Sequence, residues 1–106
     1  MATGRLGTFQ LATTTLTAVY TVPTGTYSVF NVSFTNTTTA AVTIRLAIAS
    51  TSTPAASEYI EYDTTIVGKG VFERTGLVAN AGLVVVAYCV GTGVNVNVYG
   101  IETSTS

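Results

Sequence analysis

The chain has no histidine and no tryptophan, and it has a single cysteine, Cys89. Without histidine, Ser-His-Asp and Cys-His catalytic arrangements are excluded, and a zinc ion would have one thiol and a few carboxylates to choose from. A lone cysteine also rules out an intrachain disulfide framework. Cys89 lies between Tyr88 and Val90 in the most apolar run of the chain, where a thiol is expected to act as a small buried hydrophobe. Charge is equally scarce: 8% of residues are charged, against about a quarter in ordinary soluble proteins. Four basic and five acidic residues leave a net charge of −1, so the counterion release that drives nucleic-acid binding has little to work with and nucleic acid is not an expected partner. The longest apolar run, Leu83 to Val90, is eight residues, far short of the roughly 20 that a membrane-spanning helix needs. It is expected to be a buried strand, with no membrane partner. The opening Met1-Ala2-Thr3-Gly4-Arg5 is not followed by the apolar core of a secretory signal, and the expectation is a protein made and used without export.

What the chain does have is 47% hydrophobic residues in 106, enough for one modest core and one domain. So many apolar side chains with so few charges suggest that part of the exterior is covered by other subunits, and a homo-oligomer is expected.

Short runs of Val, Ile, Tyr, Phe and Thr, broken by Pro, Gly and Asn, predict an all-β protein. Residues 1–12 read as an N-terminal arm or edge strand, with Leu6, Phe9 and Leu11 as its apolar members. Thr17 to Val22 is a strand ended by Pro23-Thr24-Gly25, since Pro cannot donate to a ladder and Gly accepts the positive φ of a tight turn. From Thr26 to Asn36, Phe30, Val32 and Phe34 alternate with Val29, Asn31, Ser33 and Thr35, and the aromatic face is core. Val42, Ile44, Leu46 and Ile48 alternate in the same way with Thr43, Arg45, Ala47 and Ala49, which turns Arg45 outward. An exposed connection, Ser50 to Ser57, precedes Glu58 to Ile66, and Gly68-Lys69-Gly70 then makes a hairpin or corner into Val71 to Leu77. The buried Leu83 to Val90 strand and Val94 to Tyr99 follow, and residues 103–106 read as a polar tail. Seven or eight strands with short connections predict a single-domain antiparallel β-sandwich over 13–102, of jelly-roll-like form.

Candidate chemistry is thin. Glu61 and Asp63 fall on one side of a regular strand, but without an Asp- and Gly-spaced loop they are expected to be solvated charges rather than a calcium site. A glycosidase-like carboxylate pair would come with aromatics to grip sugar, and Tyr59 and Tyr62 are expected on opposite faces. Gly91-Thr92-Gly93 and Gly68-Lys69-Gly70 open no helix that could hold phosphate and read as turns. No enzyme activity, metal or cofactor is expected. The sequons Asn31-Val32-Ser33 and Asn36-Thr37-Thr38 are chance matches in a Thr-rich chain. Glu73 and Arg74 point to opposite faces of their strand and are expected to meet partners on neighbouring strands or subunits. With Arg5, Leu6, Phe9, Leu11 and Arg45 they form the candidate interface set, guanidinium being suited to fixed forked contacts.

The segment Tyr20-Thr21-Val22-Pro23-Thr24-Gly25-Thr26-Tyr27, Val29 to Asn36, the Thr43-to-Ala49 strand, Tyr59-Ile60-Glu61-Tyr62-Asp63-Thr64-Thr65-Ile66 and the closing Val96-Asn97-Val98-Tyr99-Gly100-Ile101-Glu102 resemble small virion structural proteins of tailed bacteriophages, especially cyanophages. The resemblance implies a non-enzymatic β-sandwich, often trimeric, located in the virion. Such proteins serve as capsid cement or decoration, or as tail and fibre components, with other virion proteins as partners. A carbohydrate-binding or host-adhesin module is the alternative, with Tyr59, Tyr62 and Tyr99 as candidate glycan contacts.

Overall fold

The computed structural model describes residues 3–105. Met1 and Ala2 of the expected arm and Ser106 of the expected tail lie outside the described residues. Among the described residues eight strands follow one another: β1 (Thr3–Gln10), β2 (Thr17–Thr21), β3 (Thr26–Asn36), β4 (Val42–Ala49), β5 (Tyr59–Ile66), β6 (Val71–Asn80), β7 (Val84–Val90) and β8 (Val94–Ser104), with a 3-10 turn over Ala56–Glu58 before β5. They form two four-stranded antiparallel sheets, a front sheet ordered β1-β8-β3-β6 and a back sheet ordered β2-β7-β4-β5. This is the eight-stranded jelly roll, two Greek keys wrapped into a sandwich. The fold class read from alternation and turn chemistry is therefore the fold observed.

Two unbroken ladders carry the architecture. In the front sheet, β3 pairs with β8 without interruption from Thr26↔Ser104 to Asn36↔Val94. In the back sheet, β4 pairs with β7 from Thr43↔Val90 to Ala49↔Val84. Between the sheets lies the core, in which Phe30, Val32, Phe34, Ile44, Leu46, Val85, Val96 and Val98 are buried. Gly100 lets β8 press flat on β3, because a Cβ there would lie 2.6 Å from the Phe30 Cα.

The edge strands are different, since each carries an irregular register: β1 between Arg5 and Gly7, β2 between Ala18 and Tyr20, β5 opposite Arg45 and again at Ile60, and β6 opposite Asn31. Bulges at an edge twist it away from any incoming strand. On one side they also fill the core, because the extra residues Leu6 and Val19 turn into the gap between β1 and β2. β5 and β6 lie in different sheets, so the glycine-flanked turn between them is a corner.

Two buried polar knots tie the sandwich. At one end, the Tyr20 hydroxyl donates to Glu102 at 2.6 Å and Ser28 donates to the Ile101 carbonyl at 3.2 Å. At the other, fully buried Asn36 donates from Nδ2 to the carbonyls of Ala40, Val67 and Ile66 at 2.7, 3.1 and 3.3 Å. Its Oδ1 accepts from the Thr38 amide and hydroxyl at 3.0 and 2.7 Å. Asn36 thus has no surface to offer as a sequon.

Two expectations are sharpened. Of the arm or edge strand expected over residues 1–12, Thr3–Gln10 is the edge strand, paired along β8. The polar tail begins later than residue 103, because β3 extends to Thr26 and offers pairing partners to Thr103 and Ser104. Thr3 pairs with Ile101, so both ends of the described chain emerge at the same end of the front sheet.

Candidate functional site

Residues directly opposite one another in a ladder share a face, so the registers give the outer face of the front sheet row by row. From β1 across β8 and β3 to β6, the rows are Thr3, Ile101, Val29 and Val78; Arg5, Tyr99, Asn31 and the Thr75–Gly76 bulge; Thr8, Asn97, Ser33 and Glu73; and Gln10, Asn95, Thr35 and Val71. Tyr27, flanked by Thr103 and Asn80, begins a further row. Three adjacent side chains of the first row are exposed, Ile101 by 46%, Val29 by 37% and Val78 by 62%. Apart from Arg5 and Glu73, which sit on opposite edges, the side chains of these rows are uncharged.

The outer face of the back sheet is finished by its own residues. Ala47, Ala49, Val84 and Val86 form a second small buried cluster with Tyr59 against it. The 50–58 connection folds back on β4, held by the Glu58 carboxylate, which accepts from the amides of Ser50 and Ala55 at 3.1 and 2.8 Å. Those two backbone donors hold the Glu58 carboxyl below its ordinary pKa. Beside this cluster, the Arg45 guanidinium lies 4.0 Å from the centre of the Tyr62 ring and 4.8 Å from that of Tyr88. It also grips Asp63 with Nε at 2.7 Å and a second nitrogen at 3.3 Å. The pairing holds Asp63 below the usual carboxylate pKa and raises that of Arg45.

Two irregularities in β5 overturn two expectations. Asp63 adopts a positive φ of 54°, which breaks the period of two. Earlier in the strand Leu46 faces Glu61 and Ala47 faces Tyr59, so that Ile60 is an extra residue; Tyr59 and Tyr62 therefore share a face and meet edge to face, with ring centres 5.2 Å apart, instead of lying on opposite faces. Glu61 and Asp63 part company, Asp63 going outward to Arg45 and Glu61 inward to Arg74 of the facing sheet.

The remaining singled-out residues fall as follows. Arg45 does point outward, but into the stack just described. Arg74 and Glu73 do leave opposite faces of β6: Arg74 crosses to Glu61 and the Ile60 carbonyl on β5, while Glu73 accepts from the Tyr99 hydroxyl over the top of β3. Leu11 is core, 4% exposed, and Leu6 packs half-buried against the core, so neither offers surface to a partner, while Phe9 is 42% exposed on the β1 edge. Tyr99 belongs to the front sheet and is not brought together with Tyr59 and Tyr62. In their place the structure adds Tyr88, whose role follows from cross-strand pairing with Arg45 and has no signal in linear sequence.

Charge in this chain acts as internal fastening. Arg45, Arg74, Lys69, Glu58, Glu61, Asp63, Glu73 and Glu102 each bind another group of the chain. Among the described residues, Arg5 alone of the charged side chains has no such partner. Cys89 is buried, its thiol pKa raised by loss of solvent. Among the described residues there is no cleft that encloses a small molecule, no group of three or more His, Cys, Asp or Glu able to hold a metal ion, and no helix long and apolar enough to cross a membrane.

Comparison with models of protein families, with characterised proteins and with solved structures found no match.

Proposed function

We propose that this chain is a non-enzymatic structural subunit on the exterior of a bacteriophage particle, as capsid cement or decoration or as a tail or fibre component, and that it works by packing against other subunits. The observation that carries the reading is the open front-sheet face, where Val78, Val29 and Ile101 lie side by side across three strands. Two further features support it. The edges are bulged, which leaves a face as the surface available for packing. Charges that would keep a free monomer soluble are few, and most of them are tied to other groups of the same chain. Jelly rolls occur in viral capsid domains and in lectins alike, so the fold is compatible with the reading without choosing it.

The test is the protein inventory of purified particles, with copy number. A copy number matching the many repeated capsid sites means cement, and a much smaller one means tail or fibre. Absence from particles removes the proposal. Truncating residues 1–12 is a poor test, because it would strip β1 and core residue Leu11; Val29→Lys on the open face is the cleaner perturbation. The Tyr59–Tyr62 pair, with Tyr62 59% exposed beside Arg45 and Asp63, supports a second reading as a glycan-binding module. Loss of glycan-array binding in Tyr62→Ala supports that reading, and no binding by the native chain ends it.

A further inference from the structure

We propose that the outer face of the front sheet packs on the same face of a second copy, about a two-fold axis that runs parallel to the strands between β8 and β3. The proposal deepens the packing reading above and rests on it.

A two-fold interface uses one patch on both copies, so the patch must be complementary to itself. Rotation about an axis along the strands lays β8 of one copy over β3 of the other and β1 over β6. In the first row Ile101 then meets Val29 of the second copy, and Val29 meets Ile101. In the next row Tyr99 meets Asn31, and below that Asn97 meets Ser33. Across β8 and β3, then, the apolar pair falls on itself and the amides fall on groups that can hydrogen-bond with them, while on the outer strands Thr3 covers Val78 and Gln10 covers Val71.

The two charges of the face select this axis. Arg5 sits on the β1 edge and Glu73 on the β6 edge, one row apart. The rotation brings each Arg5 over the β6 edge of the second copy, displaced from Glu73 by about 7 Å along the strand, the length of two residues. That offset is within the combined reach of a guanidinium and a carboxylate side chain on sheets about 10 Å apart. The alternative two-fold, perpendicular to the strands, would lay β1 over β1 and β6 over β6, and so, passing midway between the two rows, set each charge within about 7 Å along the strand of its own counterpart. Like charges are thus apposed by one axis and opposite charges by the other. Arg5, without an ion-pair partner among the described residues, gains one, and Glu73 can accept from it while still accepting from Tyr99.

The size fits as well. Four strands about 4.8 Å apart and five rows about 6.8 Å apart make a face of about 650 Å² per copy, or about 1,300 Å² for the pair, at the lower end of standard interfaces. The back sheet offers no comparable surface, since the 50–58 connection and the Arg45 stack occupy it. A closed trimer would need two different complementary patches on each copy, whereas this face matches itself.

The experiment is sedimentation equilibrium on the full chain, as native protein and as Arg5→Glu, Glu73→Arg, the double reversal and Ile101→Lys, with each variant's melting temperature as a folding check. The native chain is expected to have twice the 10.9 kDa chain mass. Each single reversal is expected to weaken the pair by about fivefold or more, two contacts being lost per dimer. The double reversal is expected to return it to near the native value, and Ile101→Lys to leave monomer. If Glu73→Arg melts early through loss of its tie to Tyr99, Arg5→Glu alone must still weaken the pair. A native chain that is monomeric at about 100 μM, a trimer, or a dimer indifferent to the reversals overturns the proposal. A monomer that nevertheless occurs on particles removes the two-fold pairing and keeps the assembly reading, whereas a responsive dimer absent from particles does the opposite.

Discussion

Replacing Asn36 tests how the two sheets are held at one end. Its amide sits at the end of β3 and reaches carbonyls of the β3–β4 turn and of the β5–β6 corner, so one side chain joins the front sheet to the back. In Asn36→Ala, half-buried Thr38 recovers water only in part, the Ala40 carbonyl keeps its bond from the Thr38 hydroxyl at 3.2 Å, and the Val67 carbonyl keeps its bond from the Gly70 amide at 2.9 Å. About two buried bonds remain uncompensated, and at about 1–1.5 kcal/mol each the loss is about 3 kcal/mol. For a domain of this size that is a fall in melting temperature of roughly 10–20 °C. Asn36→Asp keeps the shape but turns an oxygen toward the carbonyls that the amide served. At pH 7 it should cost more than the alanine, about 4 kcal/mol or more. The sign of its pH dependence follows: carbonyl oxygens favour the protonated carboxyl, so the folded pKa is raised above the unfolded value of about 4. The penalty is smallest below that value and grows as pH rises through it. Urea denaturation of native and variant chains at matched pH between acid and neutral measures both. An Asn36→Asp variant as stable as native at pH 7, or one whose deficit shrinks as pH rises, refutes the reasoning.

Gly100→Ala forces a Cβ into the Val29 and Phe30 backbone and should cost about 2–3 kcal/mol by overpacking, read as a lower urea midpoint with an unchanged slope. Tyr20 is buried beside Glu102, and loss of solvent followed by that hydrogen bond pushes its pKa up to about 12 from 10.0. The folded state thus holds a proton that the unfolded chain releases, so stability is full below pH 10 and falls as pH rises toward 12; Tyr20→Phe should flatten that part of the alkaline denaturation curve. Arg74→Met removes the cation that crosses from β6 to Glu61, whose side chain is only 20% exposed. The loss should be about 1 kcal/mol after solvent screening, with Glu61→Gln recovering part of it in a double-mutant cycle.

Much of the fold was legible because unbroken alternation is a local property. The runs Phe30-Val32-Phe34 and Val42-Ile44-Leu46 name their buried sides directly, and Pro23-Thr24-Gly25 marks the end of β2. The same rule misplaced the Tyr59–Asp63 stretch, because a bulge resets the count and a single residue with positive φ leaves no periodic trace. Leu11 falls in the expected arm or edge strand, but its burial follows from its amide bonding to the Val94 carbonyl at the start of β8, a contact distant in sequence. The role of Asn36 was missed for another reason: the alternation of Phe30, Val32 and Phe34 carries on to Asn36, but its Asn-Thr-Thr-Thr setting reads as a polar corner. The open face itself could be drawn only once strand order was known, because Val78, Val29 and Ile101 lie far apart along the chain.

Because Thr3 and Ile101 are cross-strand partners, the described chain enters and leaves the domain at a single pole. The three turns after β3, β5 and β7 gather at the opposite pole, where the Asn36 amide bonds to Gly70, Thr37 to Gly93 and Lys69 to Thr38. A reporter or affinity tag spliced onto either terminus would therefore hang from one pole and leave the other bare. A short linker between the two ends, with a new opening cut in the 51–53 bend, should give a circular permutant that keeps both central ladders intact.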